Sequence, residues 1–126
     1  MKLPDSCVWI EALADTPTGR RYLPVLSKPD QLLVPTLVIY EVRRWALREL
    51  DMDAADRILA MQRQSRVLTL DEVTAAHAAE LASVHRLAAL DALILASAVR
   101  NKATLVSCDA HFKGLPGVEY RAKAAH

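Results

Sequence analysis

The sequence predicts an α/β domain built on a mainly parallel central sheet of four to five strands, and three observations carry that reading. Short aliphatic runs that suit strands alternate with longer amphipathic stretches that suit helices along the whole chain. At 126 residues the chain has the length of one domain with its own core, so residues 1–126 are read as a single unit. With 52% hydrophobic and 25% charged residues and only 3 glycines, the composition excludes a disordered chain.

The elements follow in order. Residues 2–6 (Lys-Leu-Pro-Asp-Ser) read as a first strand ending at Asp5, although Pro4 lacks the N–H a central strand uses. Residues 8–13 turn helical, with Asp5 or Ser6 near the N-terminus. Thr16-Pro17 opens a second helix, with proline at its first position, and Pro24 kinks or shortens it. Residues 31–34 (Gln-Leu-Leu-Val) form a strand closed by Pro35, and Thr36 caps a helix over 37–50. On that helix Glu41 shares a face with Leu37, Val38 and Trp45. A helix over 53–64 gathers Ala54, Ala55, Ile58, Leu59 and Met61 on one side.

Residues 66–70 read as a strand, and Asp71 caps a helix that packs through Val73, His77, Leu81 and Val84. His77 is read as a core or groove histidine rather than a ligand. In residues 87–99 only Asp91 and Ser97 are polar, and Asp91 shares a helical face with Ile94, Leu95 and Ala98. A carboxylate turned toward an apolar interior needs a helix N-terminus, a basic partner or a metal. Residues 103–107 form the clearest buried strand, ending just before Cys108-Asp109. A Gly114-Leu115-Pro116-Gly117 loop leads to a last strand over 118–120, and residues 121–126 read as a flexible tail.

A net charge of +1 announces no basic field, so any nucleic-acid contact is local. Arg20, Arg21, Arg43, Arg44, Arg48, Lys102, Lys113 and Arg121 could position phosphates, and each is equally a solvated surface charge. Cys7 and Cys108 are too few for a disulfide framework and lack metal-site spacing. The opening Met-Lys-Leu-Pro-Asp is no signal peptide, and the longest apolar run is too short for a bilayer. A reduced cytoplasmic setting without a membrane is expected.

Four acids stand out: Asp5 and Asp109 at strand ends, Glu41 and Asp91 on apolar helix faces. If the strands before Asp5 and Asp109 are neighbours, both carboxylates lie at one sheet edge, where parallel α/β sheets bind ligands. Gathered carboxylates call for a cation, and an all-oxygen donor set suits Mg²⁺ or Mn²⁺, which can activate water against a phosphodiester. The plainer reading makes Asp5, Asp91 and Asp109 helix caps and pairs Glu41 with Arg44 or Arg48.

These words, in this order and spacing, resemble the PIN-domain ribonucleases, and among them the VapC-type toxins of toxin–antitoxin modules. Asp5-Ser6-Cys7-Val8-Trp9-Ile10-Glu11 is similar to the family's opening segment, and residues 34–42, ending Tyr40-Glu41-Val42, to its Val-Pro…Glu element. Leu90-Asp91-Ala92-Leu93-Ile94-Leu95-Ala96-Ser97-Ala98 is similar to its Asp-Ala-(Leu/Ile)-Ile helix, and residues 103–112 to its closing strand and acid. Pro4, Cys7 and Cys108 depart from the commoner pattern, as does the lack of a proline shortly before Asp91.

The resemblance implies a PIN-like three-layer α/β/α sandwich and a metal-dependent endoribonuclease acting on structured RNA of the tRNA or rRNA class. It implies that Asp5, Glu41, Asp91 and Asp109 hold Mg²⁺ or Mn²⁺, with the hydroxyls of Ser6 and Ser107 supporting them. It further implies a homodimer silenced by a small VapB-like antitoxin. The rival reading is a non-catalytic PIN-like module that binds RNA or protein. A receiver-type phosphoacceptor is disfavoured because Ser6-Cys7 follows Asp5 where a second acid belongs, and a dinucleotide module because the glycines form no phosphate loop. Trp9, Ile10, Leu13, Tyr22, Leu23, Leu26 and Trp45 are expected to be core or an antitoxin groove. Leu47, Ile58 and Met61 are expected at a dimer surface.

Overall fold

A computed structural model describes residues 1–125. Strands β1 (Lys2–Pro4), β4 (Thr104–Ser107) and β5 (Val118–Tyr120) pair in the order β1-β4-β5, and β2 (Leu33–Pro35) pairs with β3 (Arg66–Leu68). All three ladders are parallel. A single parallel bridge between Lys2 and Leu32 joins the two groups, giving the spatial order β3-β2-β1-β4-β5. The helices are α1 (Ser6–Leu13), α2 (Pro17–Arg20), α3 (Leu23–Leu26), α4 (Thr36–Glu49), α5 (Met52–Gln62), α6 (Glu72–His85) and α7 (Ala89–Arg100). The chain steps one way from β1 through β2 to β3 and back to β4 and β5, so the right-handed rule for parallel crossovers assigns the helices after β1 and β2 to one face and those after β3 to the other, consistent with the predicted α/β/α sandwich.

Several boundaries differ from the sequence reading for local reasons. The first strand stops at Pro4: the Asp5 N–H still donates to the Val106 carbonyl of β4 (2.9 Å), but the Asp5 side chain turns to cap α1, accepting from Ser6 N (2.7 Å). The expected second helix is two short ones, with Pro24 in the first turn of α3, where no N–H is needed. A 3₁₀ turn at Pro29–Gln31 delays β2 to Leu33, and β2 then runs through Pro35. Thr36 is the first residue of α4, not its cap: Pro35 holds the cap position without a side-chain bond. Asp51 caps α5 through Ala54 N, and Asp71 caps α6 through Thr74 N as expected. Three contacts reach into the segment expected to be a flexible tail. Arg21 Nη1 donates to Ala122 O (2.6 Å), Ala124 N donates to Thr18 Oγ1 (2.7 Å), and Lys123 pairs with Glu11 (3.3 Å). His126, its last residue, lies outside the described residues.

The core joins Leu3, Val34 and Leu105 of the sheet to Trp9 of α1, Val38, Val42 and Ala46 of α4, and Ile94, Leu95 and Ala98 of α7. The i, i+4 spacing of the α4 set is one buried stripe. Phe112, in a second 3₁₀ turn (Ala110–Phe112), is fully buried and anchors that turn beside the end of β4. Burying such a ring contributes roughly 1.5–3 kcal/mol, enough to hold a short turn against its ordering entropy. Helices α6 and α7 meet through Ala78, Ala92 and Ala96, whose small side chains let the backbones approach.

Gly19 marks another close approach. A Cβ there would fall 2.0 Å from the Glu11 carbonyl oxygen, a backbone atom that cannot move aside without shifting α1. Gly19→Ala is therefore expected to cost at least about 1–3 kcal/mol, the usual range for overpacking, read as a lower urea midpoint at unchanged m-value. An unchanged midpoint would contradict the tight α1–α2 contact.

Candidate active site

β1 lies between β2 and β4, so the chain leaves it to one side and returns on the other. The crevice at the carboxyl ends of β1 and β4 is the switch point at which such sheets bind ligands. Asp5 is the residue after β1, and Asp109 lies two residues after β4.

Asp5 is buried, and each of its oxygens is fixed. Oδ1 accepts from Ser6 N (2.7 Å) and lies 3.4 Å from Ser6 Oγ. Oδ2 accepts from Ser107 Oγ (2.9 Å) and faces Cys7 Sγ at 3.4 Å. Ser107 Oγ in turn accepts from Asp109 N (3.0 Å), so one hydroxyl links the two strand-end acids. Asp109 caps the 3₁₀ turn through His111 N (3.0 Å). Capping and a place in the cluster thus coexist for Asp5 and Asp109.

Asp91 behaves differently. Ala88 occupies the cap position of α7, and no backbone N–H among the described residues donates to Asp91. Ile94, Leu95 and Ala98 of its helix are buried, as the sequence spacing predicts, and the carboxylate reaches out to His111, with Nδ1 to Oδ2 at 3.3 Å. His111 Nδ1 is also 3.3 Å from Asp109 Oδ1. Ligand atoms of Asp91, Asp109 and His111 all lie within 4.8 Å of one another. Glu41 has no ion pair among the described residues. Arg48 pairs with Glu49 instead (2.9 Å), and Glu41 Oε1 is buried with no hydrogen-bond partner.

Burial is the main cause that raises the carboxyls of Asp5, Glu41 and Asp91 above their ordinary values, and the acids add to it mutually. Asp91 raises Asp5; Asp5, Asp91 and Asp109 raise Glu41; Asp109 raises Asp91, against the lowering pull of His111. All four predicted acids are therefore in one electrostatic cluster. Hydrogen bonds from Ser107 and Ser6 partly offset the shift at Asp5, and one from Ser6 does so at Glu41. Such a cluster is costly alone and fits a hard divalent cation. The four acids offer oxygen donors beside the His111 ring nitrogen, one oxygen of Glu41 is buried without a hydrogen-bond partner, and the carboxylates repel until something positive joins them.

Sequence reasoning missed His111 and Arg86. His111 is exposed on a turn with no periodicity, and only its position two residues after Asp109 hints at a role. Arg86, in the left-handed conformation that ends α6 (φ 55°), lines a cleft of about 240 Å³ with His85, Asp91 and His111. On the other side Glu41 opens into a cleft of about 270 Å³ with Tyr40, Arg44, Trp45 and Arg48. His77 sits on α6 with Nδ1 buried and unpartnered.

The expected antitoxin groove is divided. Trp9, Leu13, Leu23 and Leu26 line one apolar cleft of about 290 Å³ together with Ala12, Ser27 and Met61. Trp45 and Ile10 belong to the Glu41 cleft, and Tyr22 is core beside Val8 and Val106. Ile58 is core too, whereas Leu47 and Met61 are exposed.

A family model described as "PIN domain" matches residues 2–118. Similar solved structures include a toxin–antitoxin complex from Klebsiella pneumoniae, 21% identical over 94% of this chain and 96% of that one, with a TM-score of 0.82. Another is the sarcin–ricin loop cleaving toxin VapC20 of Mycobacterium tuberculosis, 19% identical over 92% and 95% of the two chains, TM-score 0.75. FitAcB from Neisseria gonorrhoeae is 22% identical over 95% and 96%, TM-score 0.73. Among proteins of curated function, none matches the sequence.

Proposed function

Because the chain belongs to the PIN domain family, we propose that it is a metal-dependent endoribonuclease acting as the toxin of a toxin–antitoxin pair. What supports this reading is that the Ser107 hydroxyl links Asp5 to Asp109, that His111 Nδ1 lies 3.3 Å from both Asp91 and Asp109, and that Asp5, Asp91 and Asp109 all push the Glu41 carboxyl upward. These four would hold Mg²⁺ or Mn²⁺. The bound ion supplies the acidity that makes water a nucleophile near neutral pH and offsets charge on a phosphodiester. Ser107 and Ser6 hold both oxygens of Asp5 in one orientation, and His111 Nδ1 lies 3.3 Å from an oxygen of Asp91 and from one of Asp109.

An acid cluster repels a polyanion, so RNA needs positive charge beside the site. Arg44 and Arg48 flank Glu41, and Arg86 flanks Asp91, on the two sides of the crevice. Replacing Arg44 and Arg48 together by alanine is expected to raise KM roughly tenfold with little change in kcat, and to flatten the salt dependence of binding by about two phosphate contacts. A drop in kcat at unchanged KM would remove them from substrate binding.

The similarity to toxin–antitoxin complexes supports a small antitoxin partner, and structured RNA of the tRNA or rRNA class as substrate is part of the same reading. A homodimer through the exposed Leu47 and Met61 is proposed with it. Among the described residues no single helix is long and apolar enough to cross a membrane, and a cytoplasmic setting is proposed. The test is incubation of purified protein with total RNA, with Mn²⁺ and with EDTA, beside a mock purification. Discrete cleavage only with Mn²⁺ supports the reading; RNA bound but intact under both conditions would favour the non-catalytic module.

A further inference from the structure

Cys7 and Cys108 lie 101 positions apart in sequence, yet their sulfurs are 3.2 Å apart. Both are free thiols, Cys7 half-buried and Cys108 buried. An S–S bond measures about 2.05 Å, so closing the pair needs an approach of only about 1.2 Å. The two come from opposite sides of the crevice: Cys7 sits in the first turn of α1, and Cys108 follows β4. Cys7 is also tied to the acid site. Its sulfur is 3.4 Å from Asp5 Oδ2 and 3.5 Å from Ser107 Oγ, and accepts from Cys108 N at 3.4 Å. Both cysteines line an open cleft of about 410 Å³ with Asp109, Tyr120 and Lys123, wide enough to admit a small solute.

The plain reading is that two small side chains fill a helix–strand corner. Packing alone leaves unexplained why two thiols stand in contact, at the mouth of a cleft, against the most constrained acid of the site. We propose that Cys7 and Cys108 form an oxidation site, closed to a disulfide by a hydroperoxide, which disables the adjacent acid cluster. The loss of cleavage rests on the nuclease reading above; the disulfide does not.

The chemistry balances with the peroxide as the only oxidant. One thiol sulfur attacks the terminal peroxide oxygen and the O–O bond breaks. A sulfenic acid forms, and the leaving oxygen takes the thiol proton, departing as water or an alcohol. The second sulfur attacks the sulfenic sulfur, the S–S bond forms, and the hydroxyl leaves as water with the second thiol proton. Two thiols lose two electrons, and one peroxide gains them. The new bond draws the Cys7 sulfur toward Cys108, away from its contacts with Asp5 Oδ2 and Ser107 Oγ. Asp5 then loses part of the frame that orients it toward the crevice.

The test treats the purified full chain with stoichiometric hydrogen peroxide, alkylates it in urea, and maps tryptic peptides by mass spectrometry before and after dithiothreitol. The expected result is a cross-linked peptide pair containing Cys7 and Cys108 that reduction releases. RNA cleavage and Mn²⁺ affinity should each fall at least tenfold on oxidation and recover on reduction. Cys108→Ser and Cys108→Ala should form no cross-link and keep their cleavage within twofold after peroxide, and either variant suffices if the other folds poorly. Full alkylation of both cysteines after peroxide would overturn the oxidation site. A cross-linked protein whose Mn²⁺ affinity is unchanged would overturn its control of the acid cluster. A chain that cleaves no RNA in either state would instead fail the nuclease reading, and the cross-link and Mn²⁺ titration would still decide the oxidation site.

Discussion

Asp91→Asn is expected to lower RNA cleavage by roughly 10³-fold, of the order seen when one charge-stabilising group is lost from an active site, while the metal-free protein melts at the same temperature or higher. Asparagine keeps the shape of the side chain and removes its charge. The capping alternative forecasts the reverse, because a capping carboxylate can be replaced by asparagine with little loss of function. Asp91 accepts no backbone N–H among the described residues, so the variant breaks no cap.

The stability half of this prediction follows from the direction of the shifts. Asp5 and Asp91 have an ordinary value of 3.8 and Glu41 one of 4.5, and the fold raises all three, chiefly by burial. The folded state therefore holds these protons more tightly than the unfolded chain. Their contribution to stability is fully present below the ordinary values and is lost as pH rises through the raised ones. In EDTA the wild type should thus lose stability relative to Asp91→Asn as pH climbs from 4 toward neutrality, by about 1.4 kcal/mol for each unit by which the fold raises the carboxyl. Exposed Asp15 and Asp71 are shifted downward and contribute in the opposite sense, but equally in both proteins, so they cancel in the difference, which reports the Asp91 carboxyl together with the upward push it exerts on Asp5 and Glu41. Retained cleavage in the variant, measured against a mock purification, would remove Asp91 from catalysis.

Leu23→Asp is expected to weaken antitoxin binding by about 30-fold or more, the loss typical of an interface anchor worth 2 kcal/mol, without unfolding the protein. Leu23 lies on the rim of the apolar cleft lined by Trp9, Leu13 and Leu26, and is 49% exposed. A charge there stays solvated in the free protein and is desolvated only when an amphipathic helix fills the cleft. Trp9→Asp is the contrast. Trp9 is 1% exposed, so a charge there must be buried and the fold should fail. The partner in this test is the small antitoxin proposed above, its affinity read by calorimetry and folding by circular dichroism. Normal affinity in a folded Leu23→Asp protein would exclude this cleft as the antitoxin site.

The four acids of the proposed site stand out in the sequence because each lies where a local rule makes it conspicuous. Asp5 directly follows, and Asp109 follows by two residues, an aliphatic run that ends as a strand, and the parallel pairing of β1 with β4 brings those ends together. Asp91 interrupts an apolar helix, and its spacing to Ile94 and Leu95 fixes the face it shares. What escaped notice depends on tertiary contacts that no periodicity records. His111 enters the cluster through a 3₁₀ turn whose position is fixed by the buried Phe112, the next residue. Tyr22 and Trp45 read alike as apolar groove residues, yet one is buried beside Val106 and the other lies beside Arg44 and Arg48. Thr36 has the side chain of a cap, but the strand runs through Pro35 and leaves that position to proline. The segment after Tyr120 carries no apolar pattern, and its contacts with Thr18, Arg21 and Glu11 are hydrogen bonds and an ion pair.

The most direct measurement of the central claim is a calorimetric titration of Mn²⁺ into the reduced wild-type protein and into Asp5→Asn, Glu41→Gln, Asp91→Asn and Asp109→Asn. One shared site predicts saturable binding in the wild type and an affinity at least about tenfold weaker in every variant, with a matching loss of the melting-temperature gain that the ion confers. Equal affinity in all five proteins would show that the carboxylates do not share a cation, and the account of this site as a metal centre would be wrong.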